Sequence, residues 1–123
     1  AEGKAVGWLQ VGPRADIPEW NNPRRASTPL PDAPAEDARN WAASCFFVRK
    51  GFRGKGVTGA LLDGAVVFAR ASGARLIEAA AMDNEDRRST EGLYVGPESV
   101  FLRASFVEVA RQKPGRPLLR LML

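Results

Sequence analysis

Apolar runs alternate with glycine- and proline-rich breaks along this chain, and the spacing inside each run sets its element. Residues 5–11 show some apolar alternation and predict a strand, led in by a turn at Glu2-Gly3-Lys4. Residues 41–48 carry apolar residues on both faces, as a strand central in a sheet would. Leu61, Leu62, Ala65, Val66, Phe68 and Ala69 then recur at helical spacing and predict a helix over 57–72, stopped by Ser72-Gly73. A second mainly apolar run, 74–82, predicts another strand, with Glu78 inside it. Strand, helix and strand in that succession imply a right-handed crossover with parallel pairing. Residues 83–96 are polar and read as loop. Pro97 opens a short helix over 98–104, with Glu98 near its positive end. Residues 107–111, the turn Lys113-Pro114-Gly115-Arg116 and residues 118–123 predict a closing hairpin.

Six of the nine prolines fall within 12–39, a density that excludes a long helix or a central strand there. An extended loop is expected, with Trp20 pinning it to the body. Arg24-Arg25 on that loop read as solvated. Neither flank of the loop could fold alone, so 1–123 forms a single domain. Inside the predicted helix, Gly59 is expected where helix and strand approach closely, whereas spacing gives no reason for Gly64.

Composition narrows the chemistry. With 123 residues, 45% of them apolar and 26% charged, the chain has the make-up of one globular domain. No apolar run nears the ~20 residues that cross a bilayer, no signal-peptide pattern opens the chain, and a cytoplasmic location is expected. The single cysteine, Cys45, excludes an internal disulfide and reads as a small core residue rather than a nucleophile. Histidine is absent, which removes Ser-His-Asp and Cys-His machinery and nearly all zinc chemistry, so no metal site is expected. Proton transfer is left to Asp, Glu, Tyr, Cys, water or the substrate. A net charge of +4 suits an anionic ligand. No RNA-binding aromatic motif or DNA-reading helix stands out, which ranks nucleic acid well below a phosphorylated cofactor.

The candidate site is the stretch in which the strand ending at Val48 runs through a basic, glycine-rich turn into the helix. Helix N-termini present N–H groups without intrahelical partners and the positive end of the dipole. Gly54 and Gly56 lack the Cβ atoms that would hold a phosphate away from those groups, and Arg49, Lys50, Arg53 and Lys55 add four positive charges. The pattern points to a diphosphate-bearing cofactor, against the plainer reading of a tight connection with solvated cations. Gly54-Lys55-Gly56-Val57-Thr58-Gly59 also satisfies the dinucleotide string G-x-G-x-x-G. Three features oppose that reading: five residues separate Val48 from Gly54, Glu78 falls inside an apolar run rather than ending a strand, and only one clear βα unit is present.

Arg53-Gly54-Lys55-Gly56-Val57 resembles the first five positions of the acyl-CoA motif R/Q-x-x-G-x-G/A of the GNAT N-acetyltransferase superfamily, with Thr58 where Gly or Ala is usual. The resemblance runs from about Lys4 to the end of the chain. It implies an α/β (α+β) fold, a GNAT-like mixed central sheet with flanking helices, whose N-terminal strand, two helices and second strand are missing. Those elements build one wall of the acceptor pocket. The chain is then a fragment, or another copy supplies the wall, and the open sheet edge at 5–11 is expected to pair with something, as in a homodimer. By the same resemblance, acetyl-CoA is the cofactor and a small-molecule or peptide amine attacks its thioester. The thioester arm would lie along Phe46, Phe47 and Val48, and amides of Gly54, Lys55, Gly56, Val57 and Thr58 would hold the pyrophosphate beside Arg53. The oxyanion donor would be main chain around Val48, where the two parallel strands splay. Ser105-Phe106 stands for the family's Gly-Phe ending. The tyrosine that often reprotonates the thiolate is replaced by Phe101, which leaves Tyr94 as a substitute. Glu78 or Asp83 would be the base. Rival readings are a CoA-binding module without turnover and a small dinucleotide- or nucleic-acid-binding domain.

Overall fold

The computed structural model describes residues 7–22, 27–48, 57–81, 93–94, 98–113 and 115–123. Strand β1 (Gly7–Pro13) lies antiparallel to β2 (Asn40–Val48), and helix α1 (Val57–Ala71) carries the chain to β3 (Leu76–Ala80), which lies parallel to β2. A two-residue strand β4 (Leu93–Tyr94), helix α2 (Glu98–Arg103) and the hairpin β5 (Val107–Lys113) with β6 (Arg116–Met122) follow. The sheet order is β1-β2-β3-β6-β5, with β4 attached to β2. The expected strand–helix–strand crossover and closing hairpin are present, in a mixed α+β sheet.

Alternation along the central strands sorts side chains to two faces. Trp41, Ala43, Ile77, Ala79 and Leu119 join Leu62 and Ala69 of α1 and Phe101 of α2 in one core. Burying each of the larger aliphatic and aromatic side chains there contributes about 1.5–3 kcal/mol. On the opposite face Ala42, Ala80 and Leu118 meet Ile17 and Trp20 from the proline-rich segment. That segment is more ordered than a plain extended loop: it forms 3₁₀ turns at Arg14–Asp16 and Pro18–Asn21, and buried Trp20 fastens it to the sheet.

Both helices end in the same six-to-one turn. In α1 the Ala74 and Gly73 amides donate to the Ala69 and Arg70 carbonyls, with Gly73 at φ 85°. In α2 the Phe106 and Ser105 amides donate to the Phe101 and Leu102 carbonyls, while the Phe106 ring packs edge-on against Phe101 at 5.3 Å. Ser105 takes φ 74°, a conformation that costs an L-residue roughly 1–2 kcal/mol and that glycine adopts freely.

Two expectations change. A two-residue strand lies within what reads as loop, because Leu93 and Tyr94 find the free edge of β2. Gly59 marks no close approach of helix and strand: a Cβ there, or at Gly64, would meet open space. The turn at 2–4, Arg24-Arg25, Asp83 and most of 83–96 lie outside the described residues.

Candidate functional site

The site is built where β2 leaves the sheet and α1 begins. Val57 and Thr58 form the start of α1, whose first turn holds no acidic residue, so nothing in it opposes an anion at the positive end. Arg49, Lys50, Arg53, Gly54, Lys55 and Gly56 lie outside the described residues.

Parallel pairing between β2 and β3 covers only Asn40–Ala42 against Leu76–Glu78. The strands therefore part after Ala42, well before Val48, where the splay was expected. The cause is local. One step along β1, Gln10 to Val11, matches two steps along β2, Cys45 to Ala43, which makes Ser44 the extra residue of a bulge. A bulge raises the local twist and turns the strand away from its neighbour.

Beyond the bulge β4 takes the vacated edge, with Phe46 opposite Tyr94 and Phe47 opposite Leu93. This alters the picture of a thioester arm laid along Phe46, Phe47 and Val48. The strand is in place, but two of those three positions already carry a partner, and an arm lying there has to exchange with β4. The same pairing brings Tyr94 to Phe46 through the main chain. Phe101, at the position of the usual acid, is fully buried in the core.

Glu78 has a different occupation from the base once expected. It lies on β3, fully buried on the face that carries the 3₁₀ turns. Its Oε1 accepts from Arg14 Nη1, and its Oε2 accepts from Arg120 Nε at 2.9 Å and Nη2 at 2.7 Å. Arg120 also forks onto Asp32, with both contacts at 2.9 Å. Arg14 donates further to Asn21 Oδ1 and the Ser27 carbonyl, and its guanidinium lies 4.5 Å from the Trp20 ring centroid. Burial pushes the Arg14 pKa down against the pull of Glu78, whereas hydrogen bonding to Asp32 raises that of Arg120. A carboxylate with both oxygens engaged by guanidinium groups and no solvent contact lies out of reach of an incoming ammonium. Glu78 clamps the proline-rich segment to the sheet. Sequence reading missed Arg14, Arg120 and Asp32, although a carboxylate inside an apolar run calls for a buried cation.

Among the described residues, no group of His, Cys, Asp and Glu could hold a metal ion, and no helix is long and apolar enough to cross a membrane.

The model of the acetyltransferase (GNAT) family matches residues 1–95. A GCN5-related N-acetyltransferase from Kribbella flavida shares the fold at a TM-score of 0.63 and 19% identity, over 100% of this chain and 63% of its own. A ribosomal-protein-alanine N-acetyltransferase from Brucella melitensis gives 0.61 and 20%, over 100% and 65%. A GNAT-family acetyltransferase from Listeria monocytogenes gives 0.62 and 16%, over 98% and 59%. The chain thus spans less than two thirds of the length of these structures. No curated protein matches it. With the family model matched over more than half of its length, its glycine-rich motif inside that stretch, the chain belongs to the GNAT acetyltransferase family.

Proposed function

We propose that this chain binds acetyl-CoA and serves transfer of the acetyl group to a primary amine by direct attack on the thioester. The observation that carries the reading is the parting of β2 from β3 after Ala42, on the strand that leads into the Arg53-Gly54-Lys55-Gly56-Val57 motif and the acid-free start of α1. The residues fit the cofactor. Main-chain amides from Gly54 to Thr58 would hold its diphosphate, helped by Arg53, and β2 offers extended main chain from Phe46 to Val48 for the arm. When bound, the cofactor supplies an acyl group on a thiolate leaving group. The protein holds amine and thioester in line and aims donors at the developing oxyanion. The acceptor class is a small-molecule or peptide amine, and the proton-transfer candidates are Tyr94, set by β4 against Phe46, and Asp83. A cytoplasmic location is proposed with this reading.

The outer edge of β1 has no partner strand among the described residues. We propose that it takes a strand from a second copy or from further chain of the same protein, which sizing in solution beside an intact-mass measurement distinguishes. A second reading, a CoA-binding module without turnover, is favoured by Phe101, fully buried in the core at the position of the usual acid. Incubation with acetyl-CoA and a panel of amines, while free thiol is followed, separates the two. Amine-dependent thiol release supports the transferase, and CoA binding without release supports the module. Binding of NAD or DNA in preference to CoA at physiological salt would overturn both.

A further inference from the structure

Among the described residues Ser44 has no strand partner on either side. The bulge leaves it without a cross-strand residue in β1, while β3 reaches no further along β2 than Ala42 and β4 begins only at Phe46. Its Oγ is sealed from solvent and has no hydrogen-bond partner among the described residues. A buried hydroxyl left unpaired costs about 1–3 kcal/mol. The flanking residues Ala43 and Cys45 are small, and an alanine at 44 would avoid that cost in the same space. Bulges re-aim side chains beside functional sites, and a buried polar group without a partner calls for one from outside the fold.

Position decides which ligand group that is. Ser44 lies four residues before Val48, about 13 Å back along an extended strand. A ligand with its diphosphate at the start of α1 and its arm extended back along β2 runs toward Ser44. We infer, resting on the acyl-CoA reading, that the Ser44 hydroxyl donates a hydrogen bond to the carbonyl oxygen of the bound acyl thioester. The arm gains access by replacing β4 at Phe46 and Phe47, two residues further on. During transfer the amine nitrogen bonds to the carbonyl carbon, the C–S bond breaks, sulfur leaves as thiolate and the ammonium proton passes to water. The hydroxyl keeps its own proton throughout. It orients the thioester and steadies the charge on oxygen.

The test compares acetyl-CoA with CoA, which lacks the carbonyl, by calorimetry, and records the infrared carbonyl stretch of ¹³C-labelled acetyl-CoA on the protein. The wild-type chain is expected to hold acetyl-CoA about 3- to 10-fold more tightly than CoA, the size of one hydrogen bond. Its carbonyl stretch is expected to move below the free value. Ser44→Ala should lose both effects while its CoA affinity stays unchanged, and Ser44→Thr should keep them. The inference is overturned by a wild-type stretch at the free value, a reading that needs no variant to fold. Preference and stretch both retained in Ser44→Ala overturn it equally. A wild-type chain that binds neither ligand removes the acyl-CoA reading, and this inference goes with it.

Discussion

Replacing Glu78 by Gln keeps the shape of the side chain and removes the charge that holds the proline-rich segment to the sheet. Arg120 would retain Asp32, but Arg14, fully buried, would retain only neutral acceptors at Asn21 and Ser27. The new amide would also turn an N–H toward one of the guanidinium groups. Breaking one side of a buried ion pair costs about 3–5 kcal/mol. Against a total stability of roughly 5–15 kcal/mol for a domain, that is a large share. With an m-value near 2 kcal/mol/M, the urea midpoint should fall by about 1.5–2.5 M. The paired apolar variant Arg14→Met with Glu78→Met removes both charges and should recover most of the loss. A Glu78→Gln midpoint equivalent to less than about 1 kcal/mol of destabilisation would refute the clamp, since the scale of that cost comes from uncompensated burial. Activity lost at unchanged stability would return Glu78 to the role of base.

Ser105→Gly should raise stability by about 1 kcal/mol by relieving the positive φ, to be checked by chemical denaturation. On acidification the melting temperature should hold down to about pH 4 and then fall. Hydrogen bonds from Arg120 hold the Asp32 pKa below its ordinary value, and those from Arg39 bring Asp37 to about 2. Carboxylates with depressed pKa values contribute fully above the unfolded value of 3.8 and lose that contribution as pH falls through the folded one. Asp32→Asn with Asp37→Asn should flatten this fall in a thermal melting series. Leu93→Pro, which weakens the pairing of β4 with Phe47, should tighten CoA binding by about 3- to 10-fold by releasing the edge of β2, as calorimetry would show.

The sequence announced those parts of the fold that have a period or a punctuation mark. Consecutive apolar residues, a helical repeat and the stop at Gly73 set β2, α1 and β3, and the turn at 113–116 set the last hairpin. The turn proposed to bind phosphate stands out in the sequence because its glycines and cations cluster within 49–56. Two residues of β4 are too few to carry any period, and their strand character comes from the edge they meet. The bulge at Ser44 is a property of register between two strands, which neither strand records alone. Arg14 and Glu78 lie 64 residues apart, so only the folded topology joins them. Ser105 shows the converse: its place in a Gly-Phe position was visible, but the positive φ that explains the usual glycine was not.

We propose that main-chain amides between Arg53 and Thr58 grip the diphosphate of coenzyme A. Calorimetric titration of CoA into the wild-type chain and Gly56→Val, with circular dichroism to follow the fold, tests it most directly. The account predicts saturable one-site binding to the wild type and its loss in a folded Gly56→Val, whose side chain would stand between phosphate and amides. Equal affinity in the two proteins would contradict it.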